Sequence, residues 1–224
     1  MGTLKVHSKP AAGDVARTTG SNETQPRWLD LRAALPSIAF LTFLLAFHSA
    51  CWVYAVREAW VTAEENGGME NVQAAICGVS MVCFAVAAAR RMDTVARLFY
   101  AGLTLMSLSC MMRELELNTP LVPLFVEWIC KPIVRNVWIG ALWLGFAAIA
   151  IRHRRPLLQH SLAWLRSWGG WLFVGMTVFL VLSCLFDAHV FPLSKMSSRL
   201  WEEVLEADGF LLLAICAVRS IRPD

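Results

Sequence analysis

Residues 167–186 read SWGGWLFVGMTVFLVLSCLF, twenty consecutive residues without Asp, Glu, Lys or Arg. A helix that crosses a bilayer needs about 20 predominantly apolar residues, because the hydrocarbon core is about 30 Å thick. Trp164, Trp168 and Trp171 mark the start of this stretch, and tryptophan favours the boundary between membrane and water. The stretch therefore predicts a transmembrane helix.

Two further stretches have the same character. Residues 35–56 contain His48 but no Asp, Glu, Lys or Arg, and residues 72–89 contain none of these five residue types. Across all 224 residues, 57% are hydrophobic and 17% are charged, whereas a soluble domain carries about 25% charged residues. The chain thus has too much apolar surface for a soluble domain, and we expect lipid to cover it.

Three shorter apolar stretches complete the pattern at residues 98–112, 137–151 and 209–218. Each is too short to cross a bilayer alone. The first would have to extend through Arg113 and Glu114, and the second back through Arg135. The last would begin near Leu200 and include four acidic residues, and a half-inserted helix is the alternative for it. We predict an all-α membrane bundle of about six transmembrane helices over residues 34–222.

Charge predicts the orientation, because cytoplasmic segments of membrane proteins are rich in Lys and Arg. With both termini in the cytoplasm, the inner side holds 14 basic and 5 acidic residues, and the outer side holds 6 basic and 12 acidic residues. Residues 1–33 are polar and predict a disordered cytoplasmic tail. Two connecting segments look amphipathic, residues 121–129 on the outer face and residues 157–168 on the inner face.

Polar side chains gather at the outer ends of the predicted helices. Glu70, Gln73, Cys77 and Ser80 are spaced three or four residues apart and so share one helix face. Polar faces of membrane helices normally turn towards the bundle interior. We therefore predict an outward-facing acidic basin, which would contain the following residues: Glu70, Gln73, Arg113, Glu114, Arg135, Asp187, His189, Glu203 and Glu206.

Two interpretations of this basin stay open. Charged groups inside a membrane are costly, so Arg113 and Arg135 are natural partners for Glu70, Glu114 and Glu206. Such pairs would lock the helix ends together, or the convergence of titratable groups would form a binding or catalytic site. The sequence leaves catalytic residues and cofactors open, and a metal here would have mostly oxygen ligands, as Mg²⁺, Mn²⁺ or Ca²⁺ prefers.

The seven cysteines include no CxxC pair, and most of them lie in apolar stretches where cysteine acts as a small hydrophobic residue. A Cys110–Cys130 disulfide is an alternative if both residues face an oxidising compartment. The basic residues form no continuous stripe, which argues against a nucleic-acid partner. The expected partners are the lipid bilayer and other membrane proteins.

Three short sequences resemble those of uncharacterised bacterial inner-membrane proteins of this size. They are ENGGMENVQ at 65–73, RELE at 113–116 and EEVLE at 202–206. The resemblance implies a bacterial cytoplasmic membrane and no particular activity. Ceramidase-like membrane hydrolases are similar in helix number and in having a polar intramembrane site. Their zinc chemistry uses several histidines, whereas His189 is the only histidine on the acidic side here.

Three functions are compatible with this pattern. The first is a structural or accessory protein of the cell envelope, which uses its acidic outer rim for contact. The second is a membrane-embedded, metal-assisted hydrolase or transferase that acts on a lipid or lipid-linked substrate. In that case Glu70, Glu114 and Glu206 would bind the metal or transfer protons, and Arg113 and Arg135 would bind a headgroup phosphate. The third is a transporter subunit, which the uncharged inner halves of the helices disfavour.

Overall fold

In the computed structural model of the protein, the described residues are 31–61, 68–115, 128–188 and 190–222. The chain divides into two compact units, residues 1–40 and 41–224. In the first unit, the described residues 31–40 are helical. The second unit contains the remaining helices and the polar residues singled out by the sequence.

The described residues form seven helices, and no β-strand occurs among them. The helices are α1 (Leu31–Val61), α2 (Gly68–Arg90), α3 (Thr94–Glu114), α4 (Pro132–Arg152), α5 (Arg154–Leu165), α6 (Trp168–Asp187) and α7 (Lys195–Ser220). An all-helical membrane protein is expected on physical grounds, since a helix satisfies its backbone hydrogen bonds internally.

Local sequence explains where several helices begin. Asp93 precedes α3, and its carboxylate accepts a hydrogen bond from the backbone N–H of Ala96 at 2.7 Å. Ser167 and Ser194 cap α6 and α7 in the same manner. These side chains satisfy N–H groups that have no partner within the helix. Helix α4 begins with Pro132, whose fixed φ suits the first helical position.

Among the described residues, five helices are long and apolar enough to cross a membrane, in agreement with five of the predicted spans. The segments are Ala39–Arg57, Met69–Arg90, Thr94–Glu114, Pro132–Arg152 and Trp168–Asp187. As the sequence predicted, the third includes Arg113 and Glu114 and the fourth includes Arg135. The all-helical class is therefore confirmed, with five helices of this kind.

Helix α7 lies at the centre of the second unit. It packs along α2 on one side and α6 on another, and α3 packs against α2 in turn. Residues Val204 to Phe210 are all buried, and so are Leu213 and Cys216 further along the helix. This helix covers the predicted sixth span, but its polar first half keeps it outside the five apolar helices. The neighbouring helices bury Val204 to Asp208 at the end of that polar half.

The other helices lie around this core. Cys51 and Ala55 of α1 form a hydrophobic cluster with Val204 and Ala207 of α7. Helix α4 packs against α3 and has no buried residue along its length. Helix α5 contacts α3 and α6 and corresponds to the amphipathic inner segment predicted at residues 157–168.

Some sequence predictions fall outside the described residues or need correction. Of the tail predicted over residues 1–33, residues 1–30 are outside the described part, and residues 31–33 belong to α1. Most of the segment predicted at 121–129 is also outside it. All seven cysteines lie in described ranges and all are free thiols, so the alternative of a Cys110–Cys130 disulfide is wrong for this structure.

Candidate functional site

The candidate site is a polar network between α7 and its neighbours, and Arg113 is one of its two cationic centres. Arg113 lies in the last turn of α3, where its Nε is 2.9 Å from Glu114 Oε1. Its Nη2 donates a hydrogen bond to Glu206 Oε1 on α7. The hydroxyl of Ser183 on α6 donates to the same oxygen at 3.1 Å. One carboxylate of α7 therefore connects three helices.

Burial explains why this connection is needed. Glu114 and Glu206 are both buried, whereas the Arg113 side chain remains 55% exposed. A charged residue at membrane depth costs about 2.5–3.5 kcal/mol on insertion scales unless a partner compensates for it. Arg113 compensates two carboxylates and still reaches the surface.

The second part of the network joins α2 to α7 through Gln73. This side chain is fully buried, and its Nε2 donates to the backbone oxygen of Glu203 at 2.9 Å and to Glu203 Oε2 at 3.3 Å. Arg199, one turn before Glu203 on α7, is the second cation, with nitrogens 4.0 Å from Glu70 Oε1 and 3.9 Å from Glu203 Oε1. Its longer distances make it a weaker partner than Arg113.

Arg135 plays a different part from the one the sequence suggested. Its Nη1 donates to the backbone oxygen of Met112 at 2.7 Å and to that of Arg113 at 3.4 Å. These carbonyls lie at the C-terminal end of α3, where the last turn lacks intrahelical donors and carries partial negative charge. Arg135 therefore caps α3 from the first turn of α4. No carboxylate contact of Arg135 occurs among the described residues.

The structure thus brings together most, but not all, of the residues predicted for the basin. Six of them lie in two clusters of direct contacts, and both clusters include acids of α7. Arg113 contacts Glu114 and Glu206 in the first cluster. In the second, Gln73 and Arg199 contact Glu203, and Arg199 also lies near Glu70. Asp187 is exposed at the end of α6, where its carboxylate interacts electrostatically with Glu202. His189 lies outside the described residues, as do Glu64, Glu65, Asn66 and Glu116.

Sequence reasoning missed Arg199 of the network and the pairing of His48 with Asp208. The spacing of four residues between Arg199 and Glu203 is a recognisable signal for an ion pair on one helix. The second is a separate pair, in which His48 Nδ1 of α1 lies 2.5 Å from Asp208 Oδ2 of α7. Asp208 is 1% exposed, and the His48 ring lies near the Trp201 ring, tilted against it with 6.4 Å between the ring centroids. The available signals for this pair were a single histidine, His48, in the first predicted span and an acid, Asp208, within the sixth.

The geometry of the carboxylates bears on the metal question. Within the ranges that the structure describes, no three His, Cys, Asp or Glu side chains are placed so that they could hold a metal ion. Glu114 and Glu206 share an arginine, and Glu70 and Glu203 share another. The arrangement favours ion pairs and hydrogen bonds between helices over a set of convergent metal ligands.

No family model, no curated protein and no solved structure matches this chain.

Proposed function

We propose that the chain is a multi-pass protein of the bacterial cytoplasmic membrane and a structural or accessory component of the cell envelope. In this proposal α7 is the sixth span, and both termini are cytoplasmic. The acidic residues of the outer connections would contact partner proteins. The polar network would hold the six helices in the arrangement that exposes these acidic residues to partner proteins.

One observation carries the proposal, namely that the polar groups of the network bind one another across helix boundaries. Arg113 contacts Glu206, Gln73 contacts Glu203, and Ser183 contacts Glu206, so each bond ties α7 to a different helix. Polar groups in membrane bundles commonly hold helices together in this manner. Groups used for such bonds are not free to bind a substrate.

The test is complementation of a bacterial strain that lacks the gene, challenged with envelope stress such as detergent. We expect the Glu70→Gln, Glu114→Gln double variant to complement fully, because Gln preserves shape and hydrogen bonding. Arg113→Gln should reduce both the amount of protein in the membrane and the size of its complex on a native gel. Full activity of Arg113→Gln, at normal protein level and complex size, would contradict the structural role.

A second candidate is an enzyme that acts on the headgroup of a lipid or lipid-linked substrate. The supporting observation is that Arg113 and Arg199 are about half exposed while their carboxylate partners are largely buried. Exposed guanidinium groups beside buried acids could bind a phosphate and position it near a proton donor. Failure of the Glu70→Gln, Glu114→Gln variant to complement, with the protein at wild-type level and complex size, would favour this enzyme.

A further inference from the structure

The polar network around α7 contains more negative charge and more acceptors than its cations and donors can satisfy. In the part of the chain that the structure describes, three carboxylates (Glu114, Glu203 and Glu206) contact two guanidinium groups, and one of these, that of Arg199, also lies 4.0 Å from Glu70. Arg135 adds a third cation at the edge, but it donates to backbone oxygens. The ionised network would therefore keep uncompensated negative charge in a poorly solvated place.

An independent observation points to a missing donor in the same place. Gln73 is fully buried, and within the described ranges its Oε1 has no hydrogen-bond partner, although its Nε2 is used by Glu203. A buried acceptor without a donor is costly, and structures normally supply one. The amide of Gln73 thus presents an unsatisfied oxygen beside the Glu203 carboxyl group.

Glu203 is the carboxyl group that Gln73 contacts, and its cationic partner is distant. Its side chain is 20% exposed, and its nearest guanidinium nitrogen is 3.9 Å away on Arg199. Glu206 and Glu114, by contrast, are in direct contact with Arg113. The acids Glu70, Glu202 and Glu206 also act electrostatically on Glu203, and all three carry the same charge.

We propose that the network binds a proton, held mainly by the carboxyl group of Glu203 and accepted by Gln73. A protonated carboxyl group becomes a hydrogen-bond donor, so one proton removes a negative charge and supplies the donor that Gln73 Oε1 lacks. The chemical species is a neutral carboxylic acid, in exchange with solvent protons from the end of α7. The inference does not depend on whether the protein is structural or enzymatic.

Every helix packed around this site contributes charged, titratable or polar groups, and none of the described ones is a closer cation for Glu203 than Arg199. Helix α1 contributes His48, which pairs with Asp208 on α7, and Arg57. The remaining groups are on the other helices. They are Glu70, Gln73 and Cys77 on α2, Cys110, Arg113 and Glu114 on α3, Arg135 on α4, Ser183 and Asp187 on α6, and Arg199, Glu202 and Glu206 on α7. The acids outnumber the arginines, which is the condition for proton uptake.

Infrared spectroscopy of the full-length protein in lipid nanodiscs tests the proposal directly. We expect a band from protonated carboxyl groups at neutral pH that shifts in heavy water and loses one equivalent in Glu203→Gln. Asp187→Asn removes an exposed carboxylate and should leave the band unchanged. Asp208→Asn shows how much of the band comes from the separate pair with His48. A band of the same intensity in wild type and Glu203→Gln would overturn the proposal.

Stability against pH gives a second, independent readout. A proton bound only in the folded state stabilises the protein at low pH, and this contribution is lost as the pH rises towards the alkaline range. Glu203→Gln carries the neutral form permanently, so it should lose less stability than wild type over the same rise. Parallel losses in the two proteins would overturn the proposal. A stabilisation by Na⁺ or Mg²⁺ at constant ionic strength that Glu203→Gln abolishes would assign a metal cation and equally overturn the proton.

Discussion

Arg113 is the residue on which most buried charge in the structure depends. Its guanidinium group contacts Glu114 on its own helix and Glu206 on α7, both of which are buried. The guanidinium group of an arginine stays protonated in proteins. Its removal would leave two carboxylates in a poorly solvated environment without a direct cationic partner.

We predict that Arg113→Gln destabilises the folded protein by about 3 kcal/mol, the lower end of the loss from breaking a buried ion pair, because Arg113 itself is half exposed. Unfolding of the purified protein in detergent measures the effect. Arg155→Gln is the matched control, since Arg155 is exposed on α5. The additional change Glu206→Gln should restore part of the lost stability. Equal stability of wild type and Arg113→Gln would contradict this account.

The pair of His48 and Asp208 gives a second prediction about single residues. His48→Ala and Asp208→Ala should each destabilise the protein, and the double variant should lose about 1 kcal/mol less than the sum of the two, as neighbours in one hydrogen-bonded pair do. The reason is the 2.5 Å contact that connects α1 to α7. Ser49→Ala should change little, because the Ser49 hydroxyl donates only to Leu45 of its own helix. Strict additivity would show that the two residues are not coupled.

Which polar residues belong to the core was predictable, and so was the pairing of Arg113 with Glu114 and Glu206, but the other pairings were not. Gln73, Cys77 and Ser80 share a helix face by spacing alone, and all three are fully buried. Arg135 has a charge suited to a carboxylate but contacts the backbone oxygens of α3. The pair of His48 and Asp208 requires α1 to lie beside α7, which helix spacing cannot reveal. Pairing depends on the order of helices in the bundle, and no single-helix pattern encodes that order.

At the scale of the element, the corner between α5 and α6 depends on Gly170. A Cβ atom at this position would lie 2.3 Å from the backbone Cα of Leu165, which is far inside van der Waals contact. Backbone atoms cannot rotate away as a flexible side chain can. The close approach of the two helix ends therefore requires glycine at position 170.

We predict that Gly170→Ala destabilises the protein by about 1–3 kcal/mol, the usual cost of overpacking a tight contact. The neighbouring variant Gly169→Ala is the control, since its Cβ would lie 3.5 Å from the nearest atom, at ordinary contact distance. Thermal unfolding of the two variants in the same detergent makes the comparison. If both variants match wild type, the close corner seen in the structure is not a constraint on the folded protein.

The apolar helices were predictable because the hydrophobic signal of each lies within one segment. Helix α7 was harder to predict because the burial of its polar part depends on the helices packed around it. Residues 167–186 predict α6 to within one residue at each end. The first half of α7 carries four acidic residues between Glu202 and Asp208, and only its last part, residues 209–218, is continuously apolar. Its 26 residues span about 39 Å at 1.5 Å per residue, enough for a bilayer. The helices packed around it explain how so polar a helix can be buried.

For the whole molecule, the position of α7 decides the topology. With a cytoplasmic N-terminus, five crossings would leave the C-terminus outside, and a sixth crossing by α7 returns it to the cytoplasm. Arg219 and Arg222 near the C-terminus favour the cytoplasmic side. Because α7 packs along α2 and α6, both of which are long and apolar enough to cross, we expect α7 to cross the membrane with them.

Reporter fusions at two positions test this topology. Green fluorescent protein fused after Arg222 should fluoresce, because it folds in the cytoplasm, and alkaline phosphatase at that position should be inactive. Alkaline phosphatase fused after Val190, before α7, should be active because that end lies outside. Active phosphatase at both positions would show that α7 does not cross and that the chain has five spans. In that case the acids of α7 would be buried by protein at the outer side alone, and the network would have to be explained without a sixth transmembrane helix.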